Sequence, residues 1–327
     1  MPSKSRARKS INGLKELFSG MTETKTNKKG KILIICGATA SGKSQLAARC
    51  ASLLNSEIIS ADALDVYRGL NIGTAKPTAD EMQGIKHHLF DVVDADKTFS
   101  VGDYKELARP IVDNLIEKGE IPVICGGTGF YINSVLYDFS YGNSAANLAV
   151  REKYMRLAEE QGKNAVFDIL QSVDRETAEK LHHNDLKRVV RALEIYESGT
   201  KKSDIKDDKT PVYDYAAYAI DYDRDELYAR IEARVDKMIE KGLIGEVEGL
   251  IQSGITIKNQ SMQGIGYKEI YAYLNGDCTL TDAIAAIKLN TRHYAKRQIT
   301  FFKKLQGLVW LKPDNLDALA QRIVNNL

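Results

Sequence analysis

An α/β fold, a parallel sheet flanked by helices and interrupted by an all-helical insertion, is predicted by three observations on this 327-residue chain. Short apolar runs alternate with helix-period stretches through the first third, the order of strand, crossover helix and strand that builds a parallel sheet. A glycine-rich loop ending in Lys-Ser, GATASGKS, follows the first apolar run and opens the first helix, which makes the sheet P-loop NTPase-like. From about residue 141 to residue 200 the strand signal is lost and the pattern is helical throughout.

The elements follow in order. Residues 1–30 carry eight Lys/Arg against two acids and are rich in Ser, Thr and Lys, so a basic, disordered tail is expected there. The first part of the core spans 31–140. In it KILIIC reads as a buried strand and SQLAARCASLL as a helix. EIIS is a second strand, ending in the loop SADALDVYRGLNIGTAKP. YKELARPIVDNLIEKG has helical period, and IPVIC is a further strand that runs into GGTGFY. The insertion, 141–200, holds LAVREKYMRLAEEQG, AVFDILQSV, RETAEKLH and NDLKRVVRALEIYESG. The core resumes over 201–327 with the strand VYDYAAYAIDY and a long helical stretch from Arg224 towards Gln252. Another helix lies near 280–305, and a last strand, GLVWLKP, precedes a short helix.

Composition narrows the classes. Beyond the tail the chain is mildly acidic, so contact with nucleic acid has to come from local basic patches. The apolar runs are too short to cross a bilayer, and no signal peptide is evident. Four cysteines without CxxC spacing point to a reducing, cytoplasmic setting with neither a disulfide framework nor a zinc site. The His87–His88 and His182–His183 doublets have no Cys or acid spaced to complete a metal site.

The loop Gly37–Ser44 fits G-x-x-x-x-G-K-[ST]. Its backbone N–H groups, with the helix N-terminus behind them, suit a diphosphate or triphosphate. Lys43 adds a point charge, and the Ser44 hydroxyl is placed to hold Mg²⁺. The motif alone leaves a kinase or NTPase open. Those enzymes commonly end a later strand in a carboxylate; IPVIC ends in GGTG, with Thr128 and no acid. The loop after EIIS does carry two acids, Asp62 and Asp65.

GATASGKS, SAD…VYRGLNIGTAKPT, HHLFDVVD, IPVICGGTGFYI, HHNDLKRVVRALEIYESG, RDELYARIEARVDKMIEKGLIGEVEGL, QGIGYKE and TRHYAKRQITFF, in this order, resemble the tRNA dimethylallyltransferases, or tRNA isopentenyltransferases. The likeness runs from Ile32 to about Trp310. It implies transfer of a dimethylallyl group from dimethylallyl diphosphate to N6 of the adenosine 3′-adjacent to the anticodon, with Mg²⁺ as cofactor. On that resemblance Gly37, Thr39, Ala40, Ser41, Gly42, Lys43, Ser44 and Arg224 hold the diphosphate. Asp62 is the general base, and Thr128 lies near the reacting centre. tRNA contacts are implied for the loop Asp62, Ala63, Leu64 and Asp65, and for Arg151, Lys187, Arg188 and Arg191 in the insertion. The same holds for Gln263, Gly264, Gly266, Tyr267 and Lys268, and for Arg292, Lys296 and Arg297 on the last long helix, where Lys288 completes a basic stripe at four-residue spacing. Tyr294, Phe301 and Phe302 on that helix are candidates for stacking on bases, with core packing favoured for the phenylalanines.

Two positions depart from the family pattern: Ala63 stands where serine is usual, and Asp65 where glutamine is frequent. A monomer without membrane attachment is expected. An adenylate isopentenyltransferase acting on AMP, ADP or ATP, and a P-loop kinase or NTPase, are the alternative readings.

Overall fold

The run KILIIC forms β1 (Lys31–Cys36), the centre of a six-stranded sheet in which every paired strand is parallel. The computed structural model describes residues 28–139, 147–206 and 208–327. All but the last three residues of the expected tail, and the first six residues of the expected insertion, lie outside the described residues.

The chain leaves β1 through the glycine loop into α1 (Lys43–Leu54) and returns as β2 (Ile58–Ser60). A long loop with a helical turn at Ala79–Met82 leads to β3 (His87–His88). Then come α2 (Val101–Glu117), β4 (Val123–Gly126) and α3 (Gly129–Leu136). Four helices follow: α4 (Leu148–Gln161), α5 (Lys163–Val173), α6 (Arg175–Glu179) and α7 (Leu186–Glu197). The chain rejoins the sheet as β5 (Asp214–Ile220) and continues through α8 (Arg224–Glu240), α9 (Leu243–Gln252), α10 (Tyr267–Leu274) and α11 (Leu280–Phe302). It closes with β6 (Leu308–Leu311) and α12 (Leu316–Val324). The strand order is β3-β2-β4-β1-β5-β6. β3 escapes a sequence reading because it is two half-buried histidines at an edge, with no apolar run to mark it.

Alternation along β1 sends its side chains to two separate cores. Ile32, Ile34 and Cys36 face a large cluster built with α2, α3 and α8–α11, while Leu33 and Ile35 face a smaller one under α1 and α12. The helices α4–α7 enclose a third apolar cluster of their own, including Tyr154, Val166, Leu170, Val189 and Leu193. Among the described residues, no helix is long and apolar enough to cross a membrane.

Strands β2, β4 and β1 are neighbours, so their carboxyl ends bring three loops together, where open parallel sheets form ligand sites. The fit is close. A Cβ on Gly126 would lie 2.2 Å from the Ala61 carbonyl oxygen, so only glycine lets the β4 loop approach the β2 loop this tightly.

Candidate active site

The glycine loop is shaped by backbone conformations that few side chains accept. Gly37 has φ 122° and Gly42, the N-cap of α1, has φ 83°. Ala40 also takes a positive φ, 62°, a left-handed conformation that costs an alanine about 1 kcal/mol. Its carbonyl is held by Arg230 Nε at 2.9 Å. The Thr39 N–H donates to Gln298 Oε1 (2.8 Å), and Gln298 Nε2 donates to the Gly127 carbonyl (3.0 Å). Buried Gln298 thus ties the glycine loop to the loop after β4.

Two cavities open at this edge of the sheet. The smaller, about 60 Å³, is lined by Lys43, Ser44, Ser60 and Asp65 among others. The larger, about 360 Å³, has apolar walls from Leu64, Ile231, Val235, Met238, Ile265 and Ile287. Thr39, Asp62, Thr74 and Arg234 line both. Asp62 Oδ1 accepts from the Leu64 N–H (3.0 Å), and among the described residues its other oxygen has no hydrogen-bond donor. Thr128 Oγ1 accepts from the Ala63 N–H (3.0 Å), and the Thr128 N–H donates to the Ala61 carbonyl, so β4 fixes the Asp62 loop from beneath.

The charges here are poorly solvated. Burial lowers the pKa of the Lys43 ammonium, and the nearby Arg234 charge adds to that effect. Burial likewise lowers the Arg234 pKa, against which the Asp62 and Asp65 carboxylates act. Two cations held this way are stabilised by an incoming polyanion. Asp65 is the converse. Burial, then the Asp62 charge, push its carboxyl up to about 7, although the Ser60 hydroxyl donates to it (2.8 Å) and Lys76 and Lys43 pull the other way. Tyr294 also lines the larger cavity; burial and then Asp62 raise its phenol, while Thr128 and Gln298 act in the opposite sense.

A magnesium ion fits this donor set as one shared with a diphosphate. Ser44 offers a hydroxyl beside the anion loop, and among the described residues no cluster of three His, Cys, Asp or Glu could cage a metal. Mg²⁺ commonly takes one or two protein ligands and completes its shell with phosphate oxygens and water.

The sequence-predicted residues divide in space. Thr39, Lys43, Ser44, Asp62, Leu64, Asp65, Gln263, Gly264, Lys268 and Arg297 line one or both cavities. Arg224 does not; it is exposed at the start of α8, with its guanidinium 5.2 Å from the Tyr228 ring centroid. The arginines of α8 that face the glycine loop and cavities are Arg230 and Arg234. Lys288 and Arg292 pair with Asp236 (2.6 Å) and Glu232 (3.4 Å) of α8, whereas Lys296 and Arg297 are exposed. Arg151 and Arg191 both pair with Glu194, whose side chain is fully buried, and Arg188 pairs with Asp185. Lys187 is exposed. Phe302 belongs to the core; Phe301 is half-buried.

Residues the sequence reading passed over are Arg234, Gln298 and Glu246. The Glu246 carboxylate accepts from the N–H groups of Asn71 (3.0 Å), Ile72 (2.8 Å) and Gly73 (3.1 Å) and from the Tyr267 hydroxyl (2.6 Å). It lines neither cavity, yet it ties Gly73, which lines the larger one, to Tyr267, two residues beyond the cavity-lining stretch Gln263–Ile265.

Comparison with known proteins shows the family. Residues 65–305 match the model of the family described as IPP transferase. The tRNA dimethylallyltransferase of Acetivibrio thermocellus is 42% identical over 300 residues, covering 90% of this chain and 96% of that one. That of Alkaliphilus metalliredigens is 44% identical over 285 residues, 86% of this chain and 91% of its own. The crystal structure of the tRNA isopentenylpyrophosphate transferase of Bacillus halodurans superposes with a TM-score of 0.68 at 40% identity, covering 90% and 95% of the two chains. A eukaryotic dimethylallyltransferase acting on tRNA superposes with a TM-score of 0.76 at 28% identity, covering 91% of this chain and 77% of that one.

Proposed function

The chain belongs to the IPP transferase family and is a prenyltransferase that moves a dimethylallyl group to tRNA; we propose that it does so at a centre where Asp62 is the base. The observation that carries this reading is that Asp62 stands in the wall of both cavities. Dimethylallyl diphosphate enters with its diphosphate in the smaller one, against the loop Gly37–Ser44, Lys43 and Arg234. The adenosine 3′-adjacent to the anticodon leaves its stack and enters the larger one. Its N6 attacks the first carbon of the allyl group as the carbon–oxygen bond breaks. The electron pair of that bond leaves with diphosphate, and the N6 proton passes to Asp62.

Negative charge grows on the diphosphate during this step, so Lys43 and Arg234 stabilise the transition state more than the ground state. Magnesium, held by Ser44 and the diphosphate, would neutralise that charge further. Thr128 and Gln298 act by fixing the loops around Asp62. Arg224, exposed at the start of α8 and outside both cavities, is a weaker diphosphate partner in this scheme than Arg234. The helices α4–α7 face the tRNA, with exposed Lys187 and Arg188 as phosphate contacts.

Labelled dimethylallyl diphosphate, supplied with either an anticodon hairpin or AMP, tests the acceptor. Label is expected in the hairpin; label in AMP alone would replace this reading with an adenylate prenyltransferase, and consumption of ATP without transfer would replace it with a kinase or NTPase. Asp62→Ala is expected to lower turnover by about 10²–10⁴-fold, the usual contribution of a general base, with hairpin affinity nearly unchanged. Unaltered turnover in that variant would remove Asp62 as the base.

A further inference from the structure

Phe130, the second residue of α3 and two positions beyond Thr128, is 62% exposed. A single exposed phenylalanine is ordinary on a protein surface, but this one is braced. Its ring meets Phe301 edge-on (centroids 5.3 Å apart, 63° between planes), and Phe301 meets the buried Phe302 in the same manner (5.7 Å, 79°). The three rings form a continuous aromatic step from the core to the surface. Gly129 makes room for it, because a Cβ there would lie 2.1 Å from the Phe301 ring.

The end of α11 that carries Phe301 is cationic. Phe301 lies four residues, one helical turn of about 5.4 Å, beyond Arg297, which lines the larger cavity. Lys296, Arg297, Lys303 and Lys304 are exposed on the same end of α11, and among the described residues none of them pairs with a carboxylate. Lys288 and Arg292, nearer the start of that helix, are already matched by acids of α8. Along α11, then, positive charge is left uncompensated towards the end that carries Phe301. Aromatic faces beside unpaired cations are how proteins hold unpaired nucleotides.

We propose that Phe130, braced by Phe301, stacks on the unpaired nucleobase next to the adenosine that enters the cavity, with the cations of the α11 C-terminal end holding the adjoining phosphates. The inference rests on the reading that tRNA is the acceptor. Stacking here would hold the strand open on one side of the extruded nucleotide and fix its register against Asp62.

The test uses the full chain and two anticodon hairpins, each with fluorescent 2-aminopurine at one neighbour of the target adenosine. Binding of the unaltered protein is expected to quench one of the two. In Phe130→Ala that quenching is lost and the hairpin KM rises about tenfold, within the range of one base–aromatic stack, while the KM for dimethylallyl diphosphate and the thermal midpoint stay unchanged. Phe130→Tyr keeps the quenching; Phe130→Leu, apolar without a π face, behaves as the alanine variant. Unchanged quenching and KM in Phe130→Ala, or full function in Phe130→Leu, overturns the stacking role while tRNA remains the acceptor. A protein that transfers no label to either hairpin, before any substitution, overturns the acceptor reading and this inference with it.

Discussion

Asp65 shows what a single substitution can do to a site. The carboxyl sits behind the glycine loop, accepts from Ser60, and faces Asp62, Lys43 and Lys76. Burial and the Asp62 charge raise it from its ordinary 3.8 to about 7. The folded protein therefore holds this proton more tightly than the unfolded chain does, and stability at this position declines as pH rises from about 4 through about 7. Asp65→Gln escapes that decline, so it is expected to gain stability relative to the unaltered protein at pH 8 and to show little gain at pH 4; thermal midpoints at both values check this. Above pH 7 the ionised carboxylate repels the donor diphosphate. The donor KM is then expected to climb between pH 6.5 and 8 in the unaltered protein and to stay flat in Asp65→Gln. Arg234 and Gln298 carry a different lesson at this scale. Each interrupts an apolar helical stripe: Arg234 among Leu227, Ile231, Val235 and Met238, and Gln298 between Ala295 and Phe302. A polar side chain on a buried face must find a partner, and that signal was present in the sequence. Arg224, exposed at the start of α8, carries no such signal; the family resemblance alone points to it.

At the scale of elements, the site is held together by loops that reach across the chain. Glu246, on α9, binds three consecutive backbone N–H groups of the loop after β2 and the first side chain of α10. Removing its carboxylate leaves those groups unsatisfied at about 1–3 kcal/mol for each one that water cannot reach. Glu246→Ala is expected to destabilise the protein by about 2–3 kcal/mol and to raise the KM of both substrates, since Gly73 and the stretch just before Tyr267 both line the larger cavity. Tyr267→Phe removes one of the four donors and is expected to have a smaller effect in the same direction; chemical denaturation and steady-state kinetics on both variants check the order. α11 was legible as a basic helix, but which of its cations are free was not. That depended on α8 lying alongside with Glu232 and Asp236 at matching heights, and four-residue spacing carries no information about the neighbouring helix.

Across the whole molecule, three larger apolar cores divide the work among the described residues, beside a small fourth around Ala38, Leu227, Ile231 and Ala295. Two lie on the faces of the sheet and fix the carboxyl ends of β1, β2 and β4; the third lies within α4–α7. Leu193, fully buried in the third core, tests whether these respond separately. Leu193→Ala is expected to cost about 2–5 kcal/mol, with amide exchange accelerating across 148–197 and remaining slow in β1, β4 and β5. Faster exchange everywhere would mean that the cores unfold as one. The sequence by itself determined the parallel sheet, the anion loop and the acid after the second strand, because these depend on local pattern: apolar runs, glycine spacing and strand–loop–helix order. Only the tertiary structure decided that Asp62 joins two cavities, that Arg234 rather than Arg224 lines them, and that Glu246 and Gln298 tie distant loops together. The physical reason is that these properties belong to pairs of elements 60 to 260 residues apart in the chain, whose meeting is set by how the helices pack on the sheet, and no local spacing encodes that packing.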